Sequence, residues 1–176
     1  RDGVAGGGHR VVNVRSRGAK GDGESDDTAA ADAAIDALTP GDTLLLPPGR
    51  YMTDGGHVIA TPSVRILGAG GRAQTYNTSA QLYLRDGADA DMLSIEAVQV
   101  TVRDLTLYGN KANQSSTSRG IVTPNTAAQN YLLLDSVWVD SFNGDGYDLD
   151  SSGGTLSATI VNSESRRSEG FGMRFR

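Results

Sequence analysis

Two short apolar strands recur in the second half of this chain at a nearly constant interval. Val102–Gly109 (VRDLTLYG), Leu133–Asp140 (LLDSVWVD) and Ile160–Arg167 (IVNSESRR) form one set, and Arg119–Thr123, Asp145–Leu149 and Glu169–Met173 form the other. In this alignment Gly120, Gly146 and Gly170 correspond, at intervals of 26 and then 24 residues, as do Asp104, Asp135 and Asn162. A repeat of that length with two strands per copy cannot bury its apolar face alone. Stacked copies can, so the pattern predicts a β-solenoid, with layers about 4.8 Å apart. Less regular earlier layers lie at Ser63–Leu67, Gln81–Leu84 and Met92–Ile95.

The stretch from Val11 to Tyr51 predicts how the stack begins. Val12 and Val14 alternate with polar residues, as in a half-buried strand. Gly18, Gly21 and Gly23 allow a reversal, and Ser25 and Asp26 are suited to cap a helix. Ala31, Ala34, Ile35 and Leu38 give that helix one apolar face; Pro40 and Gly41 end it, and Leu44–Leu46 follow as a buried strand. The helix therefore reads as a lid over the open end of the stack. Residues 1–10 (RDGVAGGGHR) read as a flexible linker, and residues 11–176 as one domain.

This opening carries a resemblance. GAKGDGESDDTAAADAAID followed by LLLPPGRY resembles the start of right-handed parallel β-helix proteins of the pectate lyase superfamily. That superfamily includes polygalacturonases, mannuronan C5-epimerases and phage tailspike proteins. The resemblance implies an all-β, right-handed parallel β-helix with a short N-terminal capping α-helix. It implies a polysaccharide partner and an extracellular, secreted or virion-associated setting. One fold hosts several chemistries, so the implied reaction stays open between lyase, epimerase and hydrolase.

Bulk properties narrow the partners. The net charge is −5, with no basic block to neutralise phosphates, which argues against nucleic acid. No apolar run is long enough for a membrane span. Cysteine is absent, which removes disulfides, thiolate metal sites and a cysteine nucleophile. No cofactor is required by the sequence, although Asp86, Asp89 and Asp91 are spaced so that they can hold calcium. Gly68–Ala73 (GAGGRA) loosely imitates a dinucleotide fingerprint, but no helix pattern follows, so it reads as a solenoid turn.

Strand alternation decides which side chains face outward. If Ile121, Tyr147 and Phe171 form one inward column, and Thr123, Leu149 and Met173 another, then Asp148 and Asp150 point out, about 7 Å apart. Asp145 then stacks between Arg119 and Glu169, and Arg174 lies one layer from Asp150. The expected site is thus Asp145, Asp148, Asp150 and Glu169, edged by Arg119 and Arg174. Such carboxylates raise one another's proton affinity, which suits acid and base roles. Trp138 aligns with Leu107, which predicts a core or partner-packing role, and the lone His57 reads as structural.

The same residues extend the resemblance. Asn143–Asp148 is similar to the Asn-Thr-Asp-Gly-x-Asp strand of polygalacturonases, whose catalytic Asp falls on Asp145. Val102–Asn113 resembles the RDLTLDGNRDN segment of mannuronan C5-epimerases, and Gly144–Asp150 falls on their Gly-Tyr-Gly-Phe-Asp-Pro-His strand. That match puts the catalytic Asp on Asp148, the Tyr on Asp145 and the His on Asp150. The Lys falls near Thr117, with Lys111 and Arg119 the nearest cations. A polysaccharide-active protein using Asp148 as acid/base, with Asp145, Asp150 and Glu169 as partners and Arg119, Arg174 and Lys111 holding substrate, is the first expectation. A non-catalytic glycan-binding or structural module is the second. Phe171–Arg176 alternates to the chain end, which predicts a fragment, further β-helix layers, or a homo-oligomer covering that edge.

Overall fold

The computed structural model describes residues 9–70, 78–124, 129–152 and 156–176. Residues 1–8 of the expected linker, and the part of the Gly68–Ala73 turn beyond residue 70, lie outside them. The chain is a parallel β-solenoid of about five turns. Among the described residues its α-helix, Thr28–Asp36, stands alone, and no helix is long and apolar enough to cross a membrane.

The strands fall into three lanes around one core. The first lane runs Val11–Asn13, Thr43–Leu46, Arg65–Gly68, the first half of Thr101–Tyr108, the first half of Gln129–Asp140, and Leu156–Val161. The second runs Asp22–Asp26, Gly49–Thr53, Ala80–Leu84, the second halves of the same two long strands, and Glu164–Arg166. The third runs His57–Ile59, Leu93–Ile95, Ile121–Thr123, Tyr147–Leu149 and Met173–Phe175. Every pairing is parallel, so equivalent side chains stack. Val12, Leu44, Ile66, Val102, Leu134 and Ile160 form one inward column through six layers. Each fully buried aliphatic side chain in it contributes about 1.5–3 kcal/mol.

The registers correct two details of the sequence alignment. In the third lane Tyr147 pairs with Met173 and Leu149 with Phe175, so the interval is 26 residues in both steps. The inward columns are Ile121–Tyr147–Met173 and Thr123–Leu149–Phe175; Phe171 belongs to neither. In the long strands Leu134, not Leu133, lies opposite Val102 and Ile160. The shared bend is therefore Asp104, Ser136 and Asn162, all with left-handed backbones at φ 54, 57 and 53°. Asn and Asp tolerate that conformation best among residues with a side chain. This register places Trp138 opposite Thr106, half-buried on the outer face, and gives the core position opposite Leu107 to Val139.

The lid forms as expected, and of the two capping candidates Asp26 is the one that binds the helix start. Ala31, Ala34, Ile35 and Leu38 are buried. Asp26, rather than Ser25, binds the helix start, accepting from Thr28 N at 2.9 Å and Thr28 Oγ1 at 2.6 Å. Both lie in the Asp22–Asp26 strand, and Asp27 occupies the N-cap position. His57 is fully buried, with Nδ1 2.6 Å from Asp32 Oδ1 of the helix. At the other end Phe171, Met173 and Phe175 are exposed.

Layers approach so closely at Gly120 that a Cβ there would meet the Val139 side chain and the Gly146 carbonyl oxygen. Gly120→Ala is expected to destabilise the fold by about 1–3 kcal/mol, through overpacking against backbone that cannot yield. Urea denaturation checks this, with the midpoint falling and the slope unchanged.

Candidate functional site

The outward side of the third lane carries a dense constellation of charge. Arg119 enters the Ile121–Thr123 strand, Asp145 and Asp148 belong to the next layer, and Arg174 and Arg176 to the one after. Alternation turns Ile121, Tyr147 and Leu149 inward and Asp148 outward. Register puts Val122, Asp148 and Arg174 in one column.

Asp148 is nevertheless only 1% exposed, because arginines from both neighbouring layers cover it. Arg119 Nη1 donates to Asp148 Oδ2 at 2.5 Å. From the other side Arg176 Nη2 donates to the same oxygen at 2.7 Å, and Arg176 Nε reaches Oδ1 at 3.2 Å. Arg119 also grips Asp91, donating Nη2 to Oδ2 at 2.6 Å and Nε to Oδ1 at 3.0 Å. The Asp91 hydrogen bond is the largest of the causes that hold the Arg119 guanidinium above its ordinary range. Asp145, also buried, accepts from Phe171 N at 2.7 Å and pairs with Arg174 Nε at 3.1 Å.

Asp150 stands at the edge of this network. It accepts from Ser152 N at 2.8 Å, and Arg176 Nη2 lies 3.7 Å away. Hydrogen bonds from Ser152 hold its carboxyl below the usual carboxylate range, with a smaller contribution from Arg176. The mutual raising expected of neighbouring carboxylates is therefore not what governs Asp150; donors and cations interleave with the acids. Its stabilising contribution is present at neutral pH, above the unfolded value, and is lost as pH falls through the depressed one.

Two open grooves run along this lane. One, of about 610 Å3, is lined by Asp145, Asp148, Arg119, Arg174 and Arg176, with Thr117 and Asn143 at its wall. The other, of about 550 Å3, shares Asp91, Arg119 and Arg176 and reaches Asp150. Five of the seven expected site residues are thus brought together. Lys111 and Glu169 line neither groove; they pair with each other, Nζ to Oε1, at 3.4 Å. The two-residue register difference is the reason: Phe171, not Glu169, follows Asp145 in the stack. Arg176 takes the place the sequence alignment gave to Arg174, one layer from Asp150. Asp91 was legible only as a loop acid, because its partner Arg119 comes from the next layer.

The acids considered for calcium are already committed. Asp86 accepts from Asn110 Nδ2 at 2.8 Å, Asp89 from Ser116 N at 2.9 Å, and Asp91 from Arg119. Among the described residues no group of three or more His, Cys, Asp or Glu side chains could hold a metal ion. The residues present do not fit calcium as a three-aspartate site.

Comparison with known proteins places this geometry in a family. Residues 11–130 match the model of the rhamnogalacturonase A/epimerase, pectate lyase-like family. The chain belongs to that family. It is 34% identical over 170 residues to mannuronan C5-epimerase AlgE2 of Azotobacter vinelandii, covering 86% of this chain and 16% of that protein. It is 36% identical over 126 residues to alginate lyase 7 of the same organism, covering 63% and 14%. The A-module of Azotobacter vinelandii mannuronan C-5 epimerase AlgE4 superposes with a TM-score of 0.67 at 26% identity, covering 93% of this chain and 53% of that one. This chain thus spans about a sixth of the AlgE2 length and about half of the AlgE4 module structure.

Removing Arg119 leaves buried Asp148 with one guanidinium and Asp91 with none from this residue. Arg119→Ala is expected to destabilise by about 1–3 kcal/mol, held to that range because Arg119 itself is partly exposed. Glu169→Gln, at an exposed pair, is expected to stay within about 0.5 kcal/mol of wild type. Paired chemical denaturation curves test both.

Proposed function

We propose that the third lane is the working face of a polysaccharide-active β-helix protein that acts on a uronate-containing glycan. The observation that carries this reading is the convergence of three arginines on two buried aspartates in an open groove. A solenoid groove is long and straight, which suits a linear chain. Guanidinium groups bind a sugar carboxylate in a planar fork. Arg119, Arg174 and Arg176 are the groups that would exchange their aspartate partners for it.

The reaction class this favours is proton abstraction next to the carboxylate. Cations on the uronate carboxylate stabilise the charge that develops when the C5 proton leaves. The proton passes to an acid/base carboxylate, for which Asp148 is the candidate. Return of a proton to the opposite face, from a second acid or from water in the open groove, inverts C5; expulsion of the 4-linked oxygen, which takes up a proton as it leaves, instead breaks the chain and leaves a C4–C5 double bond. The names of the relatives, mannuronan C5-epimerase and alginate lyase, support the same pair of outcomes.

A second reading is a module that holds glycan without turnover. It is favoured by Asp145, Asp150 and Thr117 standing where the epimerase resemblance calls for Tyr, His and Lys.

The deciding experiment compares wild type with Asp148→Asn on a panel of uronate and neutral polysaccharides. Unsaturated products or C5 inversion, read by ultraviolet absorbance and proton NMR, are expected from uronates only. Asp148→Asn is expected to lower the rate by on the order of 10²–10⁴-fold, the range for a general acid/base. Binding without product from wild type would overturn the catalytic reading in favour of the second.

A further inference from the structure

The second lane carries an outward surface of a different kind. Register stacks Met52, Tyr83, Tyr108, Asp140 and Arg166 in one outer column. Beside it run Arg50, Gln81, Thr106, Trp138 and Glu164. Tyr83 and Tyr108 stack with ring centroids 4.5 Å apart and planes 13° apart. Arg50 lies over the Tyr83 ring at 4.9 Å, and Arg166 over the Trp138 ring at 5.5 Å.

These rings and guanidiniums frame a recess of about 240 Å3, lined by Arg50, Gln81, Tyr108, Trp138, Asp140, Arg166 and Arg167. Asp140 is buried and bound by Arg167, whose Nε donates to its Oδ1 at 2.7 Å. Three guanidiniums line the recess with one carboxylate, Asp140, and Glu164 of the adjoining column lies 3.7 Å from Arg166 Nε, which leaves an excess of one positive charge among these described residues. Thr106, between Gln81 and Trp138 in the same column, has a buried hydroxyl with no protein partner.

Flat aromatic faces take the apolar side of a sugar ring, and a guanidinium fork takes a carboxylate. The volume suits about one ring, and the sign of the charge excludes a cationic ligand. We infer that this recess is a second, separate binding site for a carboxylate-bearing sugar unit, on a different face from the groove around Asp148. It would hold an anionic glycan without acting on it, through Arg50 and Arg166, which lie over the rings of Tyr83 and Trp138, with Tyr108 lining the recess between them. The inference rests on this recess alone and does not require the third-lane groove to be catalytic.

Trp138 is the chain's single tryptophan, so its fluorescence reports on this recess directly. Titration with a uronate oligosaccharide is expected to change the emission saturably, and a neutral oligosaccharide of equal length is expected to leave it unchanged. Arg166→Ala and Arg50→Ala should each raise the apparent Kd at least tenfold. Asp148→Asn should leave it within twofold, which separates this site from the groove. Circular dichroism of each variant confirms that the solenoid persists, and Arg166→Lys, which keeps the charge but loses the fork, should weaken binding less than Arg166→Ala. Three outcomes would each overturn the inference: no emission change with uronate, an equal response to the neutral sugar, or loss of the response in Asp148→Asn but not in Arg166→Ala.

Discussion

Everything in this molecule hangs on the parallel backbone ladder between layers. Along the third lane Leu93 N donates to Gly120 O, Ile121 N to Gly146 O, and Tyr147 N to Gly172 O. A buried N–H or C=O left without a partner costs about 1–3 kcal/mol, so no layer can slide by a fraction of a residue. Side chains are therefore held in columns along the stack. Inside, the columns are mostly apolar over several layers, and a polar member such as Thr123 is held by a partner, accepting from Asp150 N at 2.7 Å. Outside, whatever one layer presents is set about 4.8 Å from what the next presents. Function on such a fold is written across layers, not along a strand.

The arginine–aspartate network is a direct consequence. Asp148 is buried not by apolar packing but by guanidiniums reaching over it from the layer before and the layer after. A buried carboxylate carries a desolvation penalty of several kcal/mol, which only close, well-directed donors offset. Arg119 and Arg176 are about one-third and one-half exposed, so solvent screens much of that gain. The network therefore contributes little net stability for the number of charges it holds. Its role is to satisfy Asp148 and Asp145 across layers, since a buried carboxylate left without its guanidinium is costly.

The fold and the lanes were legible in the sequence because both depend on period-two alternation, which Ile121, Thr123, Tyr147 and Leu149 show plainly. The register was less so, for the same reason. Glu169-Gly170-Phe171-Gly172-Met173 offers a glycine and an apolar residue in two phases that differ by two, and a shift of two keeps every side chain on its own face. The hydrophobic pattern is silent about such a shift. The faces of Asp148 and Arg174 were thus read correctly, while their neighbours were not: Glu169 lies off the groove and Arg176 in it. Nothing in the local sequence around Arg176 marks it, since its partners are 26 and 28 residues away.

A shift of one is another matter, because it inverts the face. Aligning Asp104 with Asp135 matched acid to acid and sent Trp138 inward beside Leu107. The backbone instead matches conformations: Asp104, Ser136 and Asn162 share the left-handed bend that joins the first two lanes. A serine there is not suggested by side-chain chemistry, only by the requirement that every layer turn at the same height. Once the bend is placed, Trp138 must face out, next to Arg166 and one layer from Thr106. Its exposure is then not a packing fault but the consequence of a corner held by backbone geometry. The same corner separates the second lane, with its aromatic column, from the first, and the later turn between Asp140 and Tyr147 separates it from the third, so the three outer faces can change independently, each within the columns that the shared ladder imposes.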